Sequence, residues 1–437
     1  MEREFLTFRV GGHKVQLRID PLGMGALVVD ARRIAYLNYT AAVFAKVFLQ
    51  GGSWEDAFKL LKKTTRGVKK GEVRKHFEEV AKKLGRFIYG YEDPITDLGF
   101  KPAFPDPSTL GAPFRVDLAL TYRCNNACIH CYSSSPDQRP ELKTEEWKKV
   151  IRKFHELGVP QVTFTGGEPT LRSDLPELVA EAQELGMVSG IVTNGRLLTK
   201  ELVDKLVSAG LDFAQVTLES SDPEVHDSIT QVKGSWEETV QGLRNLLDHD
   251  VYVSVNATLL KRNYHTIESL VTFVAELGVD GFSLNRLIYS GRGRGLAELE
   301  PSPEDTRKIL AEIKELTAEL DLDFTWYGVT RYCELDPIEE GLGPKFCSAC
   351  SITLAVEPDG SVIPCQSHYK VVGHILRDRW ERIWYHPECV KIRELGFVGE
   401  ACRICPLLNA CRGGCPLEAE VKPYPDKPPE VASHEAE

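Results

Sequence analysis

The sequence predicts an α/β protein: a partial barrel of six β/α units, preceded by a winged-helix-like module and followed by a cysteine-rich one. Three observations predict it. Between residue 114 and about residue 290, six apolar strand patterns alternate with helical patterns, the order of a parallel sheet with right-handed crossovers. Residues 1–98 instead run from paired strands into three helical periods. The twelve cysteines are absent from residues 1–123; three fall at Cys124, Cys128 and Cys131, and the other nine lie between Cys333 and Cys415.

The elements follow in order. FLTFRV and KVQLRI alternate apolar and polar residues on either side of Gly11-Gly12, a hairpin signal. VVDARRIAYLN reads as a second strand pair. Helical periods cover 39–49, 53–62 and 70–88, and Glu55 and Asp56 after Ser53 suit a helix start. Residues 99–113, with four prolines and no helical period, are a linker or an ordered strap across a neighbouring domain. The barrel occupies 114–300. Its strands are expected at 115–121, 161–165, 188–193, 213–218, 252–258 and 281–287, and its helices at 144–157, 174–185, 199–209, 236–247 and 267–277. Six units are two short of a full TIM-type barrel, whose chemistry sits at the C-terminal ends of the strands. Cys124 follows the first strand, Gly166-Gly167-Glu168 the second, Asn194-Gly195 the third and Glu219-Ser220 the fourth. A bridge at 301–345 holds one charged helix over 301–321. Residues 346–418 form the cysteine-rich module, with a hairpin around Pro358-Asp359-Gly360, and 419–437 a flexible tail.

Composition bounds the partners. The chain has 437 residues, ample to bury a core without staples. Its 53 Lys+Arg against 64 Asp+Glu leave a net charge of -11, which repels phosphate backbones and argues against nucleic acid. No apolar run reaches the roughly 18 residues of a membrane span. MEREFLTFRVGGHK has no apolar signal segment. A cytoplasmic location is therefore expected, where clustered cysteines are better metal ligands than disulfides.

Cys124, Cys128 and Cys131 lie in the loop after a strand. Zinc would need a fourth ligand, for which His130 is the nearest choice; an iron–sulfur cluster can be held by three thiolates with one iron left open. The spacing C-x3-C-x2-C resembles the radical S-adenosylmethionine (radical SAM) superfamily. So do TGGEPTL at 165–171, VTNG at 192–195, QVTLESSDPEVHDSI at 215–229 and VSVNATLLKRN at 253–263, in order, each near a strand end. The resemblance implies S-adenosylmethionine (SAM) on a [4Fe-4S] cluster, with the open iron taking its amino and carboxylate groups. An electron would cleave the S–C5′ bond to methionine and a 5′-deoxyadenosyl radical that takes hydrogen from the substrate. It also implies ferredoxin or flavodoxin as electron donor. Gly166 and Gly167 would let the backbone approach SAM closely, Glu168 would offer a carboxylate or carbonyl to its amino group, and Asn194, Thr217, Glu219 and Asn256 would bond the ribose or amino-acid end. Relatives often carry an arginine for the SAM carboxylate just after the His-Asp pair. Here Ser228-Ile229-Thr230 follow His226-Asp227, leaving Lys233 or Arg286 as substitutes.

The later cysteines, Cys347, Cys350 and Cys365, then Cys402, Cys405, Cys411 and Cys415, resemble the SPASM extension of radical SAM enzymes, which implies two auxiliary iron–sulfur clusters, both [4Fe-4S]. Structural zinc is the alternative for such Cys pairs. By position Cys347, Cys350, Cys365 and Cys415 would hold the first cluster and Cys402, Cys405 and Cys411 part of the second. No thiol follows Cys415. An open or non-cysteine fourth position is preferred, with Cys333, Cys389 and Asp426 as other choices. Cys389 is expected on an apolar helix face. The Gly291-Arg-Gly-Arg-Gly295 run resembles the stretch after the sixth strand of SPASM relatives and lacks a Walker lysine.

Residues 15–90 resemble PqqD-like domains, the recognition elements of ribosomally made, modified peptides (RiPPs). Such domains take a leader peptide as an added strand, and the alternative is a structural or dimerising winged helix. The combined expectation is a maturase that modifies a peptide or protein. A maturase of a tetrapyrrole or tungsten–pterin cofactor is the rival, and a non-catalytic scaffold a third reading.

Overall fold

The computed structural model describes residues 4–20, 25–30, 33–65, 67–89 and 110–426. Contacts divide the chain into two units: residues 1–115 with 152–161 and 184–188, and the remainder.

The first unit opens with a four-stranded antiparallel sheet, β1 (Glu4–Val10), β2 (His13–Ile19), β3 (Gly25–Val29) and β4 (Arg33–Leu37), paired in chain order. Gly11 and Gly12, at φ 57° and 91°, make the two-residue turn whose positive φ matches strand twist. Three helices follow: α1 (Tyr39–Leu49), α2 (Trp54–Thr64) and α3 (Lys70–Tyr89). Asn38 Oδ1 caps α1 by accepting from Ala41 N at 2.9 Å, and Ser53 with Asp56 forms a capping box on α2. Val15, Leu17 and Ile19 of β2 enter the core with Leu27, Ala42, Leu84 and Phe87.

The alternate residues of β2 are polar, as the hairpin pattern requires, yet they are buried too. Gln16 Nε2 donates to Pro160 O (3.0 Å) and Gly186 O (2.8 Å), and Lys14 Nζ to Met187 O (3.1 Å). The Arg18 guanidinium bonds the Asp20 carboxylate twice at 3.0 Å, takes Ala112 O and Pro113 O at 2.7 Å, and lies 4.4 Å from the Phe114 ring centre. Of the proline-rich segment, residues 110–113 are thus an ordered strap; 99–109 lie outside the described residues.

The second unit carries most of a ten-stranded sheet. Its barrel strands are β5 (Arg115–Thr121), β6 (Gln161–Gly166), β7 (Val188–Thr193), β8 (Phe213–Thr217), β9 (Tyr252–Thr258) and β10 (Gly281–Asn285). Helices between them are α4 (Thr144–Glu156), α5 (Leu175–Glu184), α6 (Lys200–Ser208), α7 (Pro223–Thr230), α8 (Ser235–Leu247) and α9 (Ile267–Leu277). Neighbours from β7 to β10 pair in parallel. Leu118, Leu120, Phe164, Ile191, Val216, Val255 and Leu284 are wholly buried, because helices cover a parallel sheet.

The sheet exceeds the six expected strands. After α10 (Pro303–Glu319), β11 (Asp323–Trp326) adds in parallel to β10, and β12 (Thr353–Val356), β13 (Ser361–Ile363) and β14 (Gly373–His374) extend the opposite edge beside β5. Open barrel edges would expose unpaired backbone groups, and these strands cover them. Short helices close the chain: α11 (Trp380–Trp384), α12 (Pro387–Arg393), α13 (Glu400–Arg403), α14 (Leu408–Cys411) and α15 (Pro416–Ala419). The tail expected to be flexible from residue 419 is packed through residue 426. Arg331, buried, donates to Lys422 O (2.5 Å) and Pro423 O (2.9 Å) and stacks 4.4 Å from the Tyr424 ring centre. A buried guanidinium needs such acceptors, and the tail's carbonyls supply them. Residues 427–437 lie outside the described ones. No described helix is long and apolar enough to cross a membrane.

Candidate metal centres

Strand β5 ends at Thr121, and the chain then loops through Cys124, Cys128 and Cys131. Neighbouring strand ends fix that loop. Ala127 N and Ile129 N donate to Thr230 O (3.0 Å) and Ile229 O (2.9 Å) at the end of α7. Asn194, after β7, donates from Nδ2 to Asn125 Oδ1 at 2.6 Å, with Cys124 Sγ at 3.9 Å. Arg292 donates from its backbone N to Cys131 O (3.0 Å) and from Nε to Cys128 O (2.8 Å). A Cβ on Gly291 would stand 2.5 Å from Cys131 O, so the glycine-rich run has to approach the loop bare. Burial pushes the Cys124 thiol up to about 11 and Cys128 well above its ordinary value. Glu219 raises Cys128 further, while Arg292 opposes it. A cation that replaces the protons suits such thiols.

His130, the nearest choice for a fourth protein ligand, turns Nε2 toward Thr258 Oγ1 and Glu219 Oε1, both at 3.2 Å. The loop offers three thiols, and His130 has its Nε2 engaged there while its Nδ1 is buried without a hydrogen-bond partner among the described residues. Among the described residues, no three His, Cys, Asp or Glu side chains converge as around one metal ion. Tetrahedral zinc would hold its sulfurs about 3.8 Å apart, whereas the thiolates of a polynuclear cluster bind different irons. The donor set fits an iron–sulfur cluster.

The structure gives Gly166 and Gly167 a different reason from close approach to a ligand. Gly166, at φ 136°, would place a Cβ 2.1 Å from Thr121 O, and Gly167 one 2.3 Å from Arg123 O. Gly167 N and Glu168 N bond those same carbonyls at 2.7 and 2.9 Å. The glycines let two backbones touch just upstream of Cys124. Glu168 is wholly buried. Its Oε1 accepts from Thr170 N (3.0 Å), Thr170 Oγ1 (2.6 Å) and Thr193 Oγ1 (2.6 Å), and its Oε2 from Asn194 N (2.8 Å). Burial raises its pKa, and these four donors pull the other way. Its carboxylate joins the ends of β6 and β7.

Glu219 is also buried inside the chain. Oε2 accepts from Thr258 N (2.8 Å), its backbone N donates to His226 Nδ1 (3.1 Å), and its O accepts from Asn263 Nδ2 (2.7 Å). Asp227 bonds Gly234 N (2.6 Å), Ser235 Oγ (2.8 Å) and Trp236 N (3.0 Å) at the start of α8. Thr217 of β8 and Asn256 of β9 are register partners, and Asn256 Oδ1 accepts from Ser283 Oγ (3.2 Å) and Asn285 Nδ2 (3.1 Å). Arg286 is committed elsewhere, with Glu300 at 2.7 Å and Glu418 at 3.0 Å. Lys233 is exposed. Sequence reasoning missed Arg292, whose Nη2 is buried without a hydrogen-bond partner. The signal lay in the Gly291–Gly295 run.

The later cysteines form two groups. Cys347, Cys365 and Cys415, each partly buried, lie within electrostatic reach of one another, and desolvation pushes Cys365 up to about 12. Cys350, expected with them, is instead bonded to Cys389 on α12. Cys350 is wholly buried and sits at φ 53°, and Cys389 is wholly buried beside it. The first group therefore numbers three. Cys402, Cys405 and Cys411 line a cavity that Cys333 also lines. The first group is tied to the barrel loop: Tyr132 OH donates to Gln366 Oε1 at 3.2 Å, and Ser290 Oγ to Ser367 O at 2.7 Å.

Known proteins agree with this arrangement. Residues 118–274 match the radical SAM superfamily, and residues 347–412 the SPASM iron–sulfur cluster-binding domain. The chain belongs to the radical SAM superfamily, in the branch that carries a SPASM domain and includes the PqqA peptide cyclases. It is accordingly a SAM-dependent radical enzyme with iron–sulfur clusters, auxiliary ones included. It is 31% identical over 324 residues to the PqqA peptide cyclase of Streptomyces rochei, across 72% of this chain and 87% of that one. It is 36% identical over 203 residues to the Fe-coproporphyrin III synthase of Methanosarcina barkeri, across 46% of this chain and 51% of that protein. In fold it is similar to Streptococcus suis SuiB bound to precursor peptide SuiA, at 18% identity and a TM-score of 0.70, over 97% of this chain and 98% of that chain.

Proposed function

We propose that this enzyme modifies a peptide or small protein through a carbon radical, as in RiPP maturation. The observation that carries the reading is the match to the PqqA peptide cyclase across 87% of that protein, joined to a loop of three thiols at a barrel strand end. When bound, a [4Fe-4S] cluster with SAM supplies a 5′-deoxyadenosyl radical able to take hydrogen from substrate carbon.

The chain's own residues hold and shape that site. Cys124, Cys128 and Cys131 would bind the cluster, Arg292 and Asn194 fix the loop that presents them, and Glu168 joins the ends of β6 and β7 behind it. Gly166, Gly167, Glu168, Asn194, Thr217, Glu219 and Asn256 would surround SAM. With the Glu168 carboxylate fully bonded, backbone atoms rather than that carboxylate would meet the SAM amino group. Arg292 Nη2, buried and unpartnered, is better placed for an anionic group than Lys233 or Arg286. Cys347, Cys365 and Cys415 would bind the first auxiliary cluster and Cys402, Cys405 and Cys411 the second. A ferredoxin or flavodoxin would supply electrons in the cytoplasm.

The N-terminal unit would be a PqqD-like recognition element for a leader peptide. Among the described residues β1 and β4 each pair on one side only, and an extended peptide adds to such an edge. The fold likeness to SuiB supports this, since it runs through 97% of the chain. A second reading, maturation of a tetrapyrrole, rests on the Methanosarcina barkeri relative, whose match is confined to about half of each chain.

The test is anaerobic incubation of reconstituted enzyme with SAM, reductant and peptides encoded beside its gene, read by mass spectrometry for altered peptide and 5′-deoxyadenosine. A modified peptide that disappears with Cys124→Ala, Cys128→Ala and Cys131→Ala is the expected result. Unaltered peptides alongside turnover of an iron porphyrin would replace the reading with the second one.

A further inference from the structure

Cys402, Cys405 and Cys411 surround one cavity, and the fourth cysteine on its wall is Cys333, from the segment between β11 and β12. We propose that Cys333 is the fourth ligand of the second auxiliary cluster, so that this site is closed by a thiolate from upstream. The proposal rests on the reading that the C-terminal module holds iron–sulfur clusters and deepens it.

Cys333 is held in place beside the trio. Its neighbour Tyr332 donates its backbone N to Cys411 Sγ at 3.4 Å, and the Tyr332 hydroxyl accepts from Lys345 N at 3.0 Å. Arg331 on the other side is anchored by Lys422 O and Pro423 O. Thr330 Oγ1 donates to Leu335 O at 2.8 Å and closes the turn. The turn after Cys411 is shaped to admit this segment. Gly414 sits at φ 75°, where a Cβ would come within 2.9 Å of Arg331 Cγ. Four cysteines from two distant segments thus line one space, and Cys333, exposed at its rim, closes the set. A cationic cluster in that space would take all four as thiolates.

The remaining cysteines leave no rival. Cys350 and Cys389 are bonded to each other, and Cys347, Cys365 and Cys415 form the other group. Asp426 does not line the cavity, which its neighbour Pro425 and Cys333 do.

The test uses the full chain carrying Cys124→Ala, Cys128→Ala and Cys131→Ala, so that only auxiliary clusters remain, reconstituted anaerobically. Iron and sulfide analysis, EPR and Mössbauer spectra are the readouts. The parent should hold about eight irons if both clusters are cubanes. Adding Cys333→Ala should remove between about one and about four irons, as a cubane becomes a three-iron cluster or is lost. Cys333→Ser, which retains an oxygen ligand, should keep the iron and shift the EPR signal of one cluster only. Unchanged iron and spectra in both variants would overturn the assignment, as would loss of the same cluster from Asp426→Ala instead. Zinc in the parent would overturn the cluster reading and this assignment together, and metal analysis separates that case before Cys333 is touched.

Discussion

Glu168→Gln distinguishes two roles for one carboxylate. In the structure Oε1 accepts three hydrogen bonds and Oε2 accepts one, from Asn194 N. A glutamine keeps Oε1 as its carbonyl but turns an NH2 toward Asn194 N–H, so two donors face each other in a fully buried place. The lost charge-assisted bond is worth about 1.5–3 kcal/mol and the stranded N–H about 1–3 kcal/mol. After partial relaxation we expect a loss of about 3–5 kcal/mol in unfolding free energy. The damage should reach the metal loop, because Asn194 also bonds Asn125 Oδ1 beside Cys124. Denaturant titration, with iron analysis after anaerobic reconstitution, measures both effects, and iron retention should fall. If stability stays within about 0.5 kcal/mol of the parent and only SAM affinity drops, the carboxylate is a SAM ligand and the argument from its four donors fails.

Gly166→Ala should fail to retain the barrel cluster, since strain at φ 136° of about 1–3 kcal/mol adds to a Cβ 2.1 Å from Thr121 O; Gly295→Ala, with open space around it, should cost under about 0.5 kcal/mol. Equal iron retention by the two variants would refute the close-approach reading. Burial holds His226 down at about 4, below its ordinary 6.5, so on acidification the unfolded chain binds a proton that the native chain refuses. Stability is lost as pH falls through 6.5 toward 4, by about 2 kcal/mol at pH 5. His226→Asn should flatten that part of the pH profile by the same amount, and identical slopes in parent and variant would sink the assignment.

Much of the barrel was legible because short runs rich in β-branched and apolar residues recur between helical periods, as in 188–193 and 252–258. The helix expected at 39–49 is α1, Tyr39–Leu49, because Asn38 caps it and Gly51-Gly52 follow it. The strand β11 was not legible, and the hairpin expected around Pro358-Asp359-Gly360 is β12 and β13, whose place at the barrel edge was not legible. β11 is four residues, too short for periodicity to separate from a loop, and the pairing of β11 with β10 and of β12 with β5 is non-local. The tail at 419–426 was misjudged for a related reason. Its composition suits disorder, but its carbonyls meet the buried Arg331 from far upstream.

By itself the sequence determined the chemistry-bearing loop. Three cysteines within eight residues after a strand place their thiols together whatever the rest of the fold does. It also determined the order of β/α units, because apolar periodicity is a local property. Only the tertiary structure decided which distant groups share a space. It brought Cys333 to Cys402, Cys405 and Cys411, withdrew Cys350 to Cys389, set Arg292 against Cys128, and spent the Glu168 carboxylate on the ends of two strands. Such meetings depend on chain reversals between them, and no local spacing encodes where those reversals end.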